Sequence, residues 1–209
     1  MKQKFLLAAV SAFILALASG CAHKVNLSEA LQQPLDSQVR TRYHIWYTDE
    51  ENISALNYME GKFIPAGTVI EPVAIEKGSY DIWGTVSVVD GSIKFRTPAD
   101  GKEYTINYDE HLTMMPIEDF LRQMFTVESS QEIYKNIPAA ELDRVKAGKL
   151  EAKMNKASVL VILGPPAKSR TSSMTNQSWL YWKNKDQVFR LLFRGDRVRM
   201  IGSVDQLDF

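Results

Sequence analysis

The sequence predicts an α+β fold in two parts: a small, mostly antiparallel β domain, then a domain of order α-α-β-β-β. Three observations lead there. Between residues 43 and 108, short runs alternate apolar and polar side chains and are bounded by Gly, Pro or Asp, the pattern of strands joined by turns. Residues 116–125 instead space their apolar side chains as a helix does. After residue 137, two helical patterns precede three more strand-like runs. The composition suits such a body. With 45% hydrophobic and 24% charged residues, the 209-residue chain does not read as disordered, collagen-like or multiply membrane-spanning. Its 25 basic and 25 acidic residues cancel, which argues against a nucleic-acid partner.

The first element reads as an address. Lys2 and Lys4 precede an uncharged, mostly apolar run over residues 5–18. That is the layout of a signal peptide, and the run is short for a membrane span of about 20 residues. Leu17-Ala18-Ser19-Gly20-Cys21 follows, and these small residues before a cysteine resemble the bacterial lipobox. The resemblance implies cleavage after residue 20, a diacylglycerol on the Cys21 thiol and an acyl chain on the new amine, with no other cofactor. Cys21 is the only cysteine, so no disulfide forms within one chain. Several acyl chains anchor far more firmly than one. Removing residues 1–20 leaves 189 residues with 23 basic and 25 acidic side chains. Position 22 is Ala. In an enteric-type Gram-negative cell, the absence of Asp there favours the outer membrane. The expected location is therefore the cell envelope, lipid-anchored on the periplasmic face of that membrane. Residues 21–38 are polar, include Pro34 and read as a tether.

The β domain is expected over residues 39–126. Tyr43, Ile45 and Tyr47 alternate with Arg42, His44 and Trp46 in a first strand. Further strands are expected over 68–75, 82–89, 92–96 and 102–108. Asp90-Gly91 suits a tight hairpin turn between residues 86 and 95. Pro116 opens the helix over 116–125, whose stripe is Ile117, Phe120, Leu121, Met124 and Phe125. Residues 127–137 read as a linker. The second domain is then expected over 138–209. Its elements are a helix over 138–147, a short strand over 149–153, and a helix over 156–163. Asn155 caps that helix and Gly164-Pro165-Pro166 ends it. A Ser/Thr/Asn-rich loop at 169–177 leads into strands over 178–182, 188–193 and 197–204.

Residues 138–204 resemble the BamE/SmpA (OmlA) family of small outer-membrane lipoproteins. The resemblance rests on Lys153-Met154-Asn155-Lys156-Ala157-Ser158-Val159, Leu163-Gly164-Pro165-Pro166, Trp179-Leu180-Tyr181-Trp182 and the strand pair around Phe193 and Ile201. The family usually has Gly where this chain has Lys153. The whole chain also looks like uncharacterised two-part bacterial lipoproteins. The resemblance implies two helices on a three-stranded sheet, no catalysis, and contact with β-barrel assembly proteins or other envelope proteins and with anionic lipid.

The residues themselves hold little catalytic promise. No P-loop, G-x-S-x-G or G-x-G-x-x-G is present. Asp109-Glu110-His111 has no metal-ligand spacing, and a hydrolase would need a base at His44 or His111. Trp182, Lys183, Lys185, Arg190, Arg194, Arg197 and Arg199 make the last strands basic and aromatic. With the loop at 168–177, they are the expected surface for a partner protein or anionic lipid. The expected function is that of a non-catalytic scaffold in outer-membrane protein assembly or envelope integrity. The alternative is a periplasmic protein binding a cell-wall or small ligand in an aromatic pocket of Tyr43, Trp46, Tyr58, Trp83 and Tyr104.

Overall fold

The computed structural model describes residues 23–34, 36–77 and 91–204. In chain order its first half runs β1 (His23–Lys24), α1 (Leu27–Leu31), β2 (Val39–Thr41), β3 (Ile45–Tyr47), β4 (Ile53–Ser54), β5 (Lys62–Ile64), β6 (Val69–Lys77), β7 (Gly91–Thr97), β8 (Lys102–Tyr108), α2 (Glu110–Thr113), α3 (Ile117–Met124) and β9 (Phe125–Thr126). Its second half runs α4 (Ser130–Tyr134), α5 (Ala139–Lys146), α6 (Lys156–Leu163), β10 (Ser178–Trp182), β11 (Val188–Arg194) and β12 (Arg197–Val204). Helices and strands both contribute, so the chain is α+β.

The first half is a seven-stranded sheet with the path β4-β8-β7-β6-β2-β9, and β1 also pairs with β6. Only β4 and β8 run parallel. In β7 the buried positions are Gly91, Ile93, Phe95 and Thr97, and in β8 they are Tyr104, Ile106 and Tyr108. This period of two turns one face of the sheet onto a core. Helix α3 covers that face with Ile117, Phe120, Leu121 and Met124. Glu118 and Asp119 in its first turn and Arg122 in its last complement the helix dipole.

The second half packs α5 and α6 on the antiparallel meander β10-β11-β12. Trp179, Tyr181, Phe189, Leu191 and Phe193 face the helices. Helix α6 is apolar nearly all round, with Val159, Val161, Ile162 and Leu163 buried. A helix of that kind needs cover on every side. The meander supplies one side, and the first half supplies another.

Strand β3 is where the halves join. The expected alternation holds for side-chain direction but not for exposure, because every residue from Tyr43 to Tyr47 is buried. Tyr43, Ile45 and Tyr47 belong to the first core, and Trp46 belongs to the second. The strand is the common wall of two cores. The expected aromatic pocket is therefore corrected in part: Tyr43 and Tyr104 are packed core, Trp46 and Tyr58 line a cleft beside the seam, and Trp83 lies outside the described residues.

Other expectations change too. From His23 onward the supposed tether is folded: β1 pairs with β6, and α1 buries Leu27 and Ala30 in the first core. The supposed linker carries α4 and packs Ile133, Tyr134 and Ile137 on the second core. Gly91 lies in a strand, not a turn, because β7 is paired along both edges, with β6 and with β8. The other limb of the expected hairpin, residues 86–89, lies with the expected strand 82–89 outside the described residues. Residues 149–153 form a turn, in which Lys153 takes φ 72°.

Candidate functional site

The seam between the halves sets the geometry of everything near it. A helix leaves its last four carbonyls without partners of its own. At the end of α6 the Gly164 N–H takes Leu160 O (2.9 Å), and the first half supplies partners for the other three. The His44 N–H donates to Val161 O (2.9 Å), Trp46 Nε1 to Ile162 O (2.8 Å) and Asn57 Nδ2 to Leu163 O (2.9 Å). Asn57 also receives the Trp46 N–H on its side-chain oxygen (2.8 Å) and donates to His44 O (2.9 Å). The His44 ring lies across the same seam. Its Nδ1 accepts from the Ala66 N–H (2.8 Å), which fixes Nε2 as the protonated nitrogen, donating to Val145 O (2.7 Å). Burial pushes the His44 pKa below its ordinary value, with the Val145 carbonyl opposing. Both ring nitrogens are committed to backbone, so His44 has none to offer a substrate. His111 sits exposed on α2, and among the described residues no group of His, Cys, Asp and Glu is placed to hold a metal ion.

The meander carries the residues expected to bind a partner. Its inner face is packed, and its outer face presents Leu180 and Trp182 from β10, Val188, Arg190 and Leu192 from β11, and Met200 from β12. Arg190 stands opposite Leu180, and Trp182 opposite Val188. The Trp182 ring lies 6.4 Å from that of Tyr58 and 5.4 Å from the Arg170 guanidinium. Trp182 Nε1 and Arg190 Nε are shielded from solvent and have no hydrogen-bond partner among the described residues.

The seven residues do not gather into one patch. Lys183 and Lys185 lie at the β10–β11 turn, Arg194 and Arg199 lie toward the opposite end, and Arg190 lies between. At about 3.4 Å per residue, β11 separates the two ends by roughly 20 Å. Arg197 leaves the set, because its guanidinium donates to Glu141 Oε1 (2.6 Å) and Lys153 O (3.0 Å). Lys183, Lys185, Arg190, Arg194 and Arg199 make no ion pair among the described residues. The loop at 168–177 is partly committed: Thr171 is buried and accepts from the Leu180 N–H (3.0 Å), and the Ser169 hydroxyl donates to Leu112 O (2.9 Å). Cys21 lies outside the described residues.

No protein-family model, curated protein or solved structure matches the chain. Among the described residues no helix is long and apolar enough to cross a membrane.

Two features escaped sequence reading. The first is the buried carboxylate of Glu141. It accepts from the Ser158 hydroxyl (2.5 Å), the Asn155 N–H (3.1 Å) and Arg197. Burial raises its pKa, but those hydrogen bonds and the Arg197 charge outweigh burial and hold it below its ordinary value. Every donor to the carboxylate comes from the surrounding frame, so Glu141 reads as a brace between α5, α6 and β12. The second is a cleft of about 650 Å³ beside the seam, walled by the loop after β3, the end of β8 and the β10–β11 turn. Its walls come from residues about 130 positions apart in sequence, such as Asn52 and Lys185, and no local pattern announces it.

Proposed function

We propose that the chain is a lipid-anchored envelope protein that acts as a non-catalytic scaffold and docks a partner on the outer face of its C-terminal meander. The observation that carries this reading is a group of cations on one partly apolar face. In the first half, Arg42, Lys94, Arg96, Lys102 and Arg122 have carboxylate partners, while Lys24, Arg40, Lys62 and Lys77 make no ion pair among the described residues. On the meander, Lys183, Lys185, Arg190, Arg194 and Arg199 have none among the described residues, and Leu180, Leu192 and Met200 lie among them. Unpaired cations around a partly apolar face suit an acidic protein surface. The Cys21 lipobox and the order of helices and strands shared with the BamE/SmpA family support placing that face in the outer-membrane assembly environment.

The test is in-cell crosslinking from a photoreactive residue at position 190, with purification under denaturing conditions. A discrete protein adduct is expected, and the pair Arg194→Glu and Arg199→Glu should lower its yield severalfold without changing the melting temperature. Lipid adducts alone, or no adduct, would contradict the reading.

A further inference from the structure

The cleft beside the seam is large enough for a small ligand. Its volume of about 650 Å³ lies within the range of small-molecule sites, about 300–1,000 Å³. The walls are held in place. The Met59 N–H donates to Trp182 O (3.2 Å), tying the loop of the first half to the end of β10. The Asn184 side chain accepts from the Asp186 N–H (3.0 Å), and the Lys183 N–H closes the same turn onto Gln187 O (2.8 Å). The Asp109 carboxylate caps α2 by accepting from the Leu112 N–H (3.0 Å).

The lining selects a chemistry. Tyr58 is half-buried and Leu112 is 44% exposed, and these two supply apolar surface. The same lining includes Asn52 and Asn107, joined by a hydrogen bond from Asn107 Nδ2 to Asn52 Oδ1. That bond leaves the Asn52 amide hydrogens and the Asn107 Oδ1 without a partner among the described residues. A donor and an acceptor on two bonded side chains match the carbonyl and N–H of one amide group. Glu60, Asp109 and Asp186 set three carboxylates against the single ammonium of Lys185, which disfavours a phosphate or carboxylate ligand. The polar rim disfavours a lipid tail.

We infer that this cleft binds an N-acetylated amino sugar within an oligosaccharide, its acetamido group paired with Asn52 and Asn107 and its ring face on Tyr58. The cleft shares Lys185 with the proposed docking surface, but its acetamido contacts come from Asn52 and Asn107 alone and need no docked protein. The sugar has two sources, the glycan of the cell wall and a soluble glycan.

The test is calorimetric titration of the full chain in detergent micelles with the tetramer of N-acetylglucosamine, and with the unacetylated glucose tetramer as comparison. The acetylated tetramer should bind saturably and the unacetylated one about tenfold more weakly. Tyr58→Ala and Asn107→Ala should each weaken binding by about tenfold, the loss for one stacking ring or one paired polar group. Because Tyr58 also touches Trp182, Asn107→Ala on the exposed rim is the variant that keeps the fold undisturbed, and its melting curve checks this. Co-sedimentation with purified cell-wall sacculi would assign the cell-wall source, and tetramer binding without it would assign a soluble glycan. No saturable binding, equal affinity for both tetramers, or affinity unchanged in Asn107→Ala would overturn the assignment.

Discussion

At the scale of single residues, the chain keeps its charges and polar groups for internal work more than its sequence suggests. His44 is the sharpest case. In the folded state it is neutral, with one ring nitrogen accepting and the other donating, and protonation would set an N–H against the Ala66 N–H. Its folded pKa lies below its ordinary 6.5, so the unfolded chain binds the proton first. The group is neutral in both states above that value, and stability falls as pH drops through it, by at most about 1.4 kcal/mol per pH unit. Imidazole ¹⁵N shifts should show the Nε2–H tautomer unchanged where an ordinary histidine is half-protonated, whereas a titration of His44 centred near its ordinary value would contradict the geometry. Glu141 tilts stability the same way, because its lowered pKa means that its hydrogen bonds are lost in acid. Neither role was legible in the sequence. His44 reads there as one position of an alternating strand, and Glu141 as one more acidic residue of the expected helix over 138–147. Each has partners far away in sequence, Val145 for His44 and Arg197 for Glu141.

At the scale of elements, legibility follows locality. The cap Asn155, whose side chain accepts from the Ser158 N–H (2.8 Å), and the stop at Gly164 bound α6 where expected. The meander strands fall within a residue of their expected limits, because their patterning and turns are local signals. Strands β5 and β9 went unread. They have three and two residues, and their pairing with β3 and β2 is their main reason to be strands. The turn at Gly148 shows how closely the halves approach. Its φ is 66°, and a Cβ there would lie 2.7 Å from the Phe63 ring and 3.0 Å from the Trp46 ring. Gly148→Ala should therefore cost about 2–4 kcal/mol, from left-handed strain together with overpacking. Gly101→Ala carries the strain alone, with φ 69° and open space, and should cost about 1–2 kcal/mol. Urea melts of the two variants compare them. Equal costs would mean that the rings beside Gly148 move aside freely.

At the scale of the whole molecule, the central claim is that two cores form one body. The sequence reads as two domains because its composition and patterning change near residue 137. What joins them is non-local: one strand buried on both faces, and a helix end whose carbonyls are satisfied from the other half. The proposals about function depend on this unequally. The meander face would survive a hinge between the halves, whereas the cleft exists only if the halves are fixed to each other. Separating the halves would exchange the seam's hydrogen bonds for water at about 0.5–1.5 kcal/mol each and expose the apolar surface that the two cores share. Differential scanning calorimetry of the chain, at a pH above the ordinary histidine pKa, tests the claim directly. The account predicts one transition whose van't Hoff and calorimetric enthalpies agree. Two resolved transitions, or a van't Hoff enthalpy near half the calorimetric one, would mean that the halves fold and open independently.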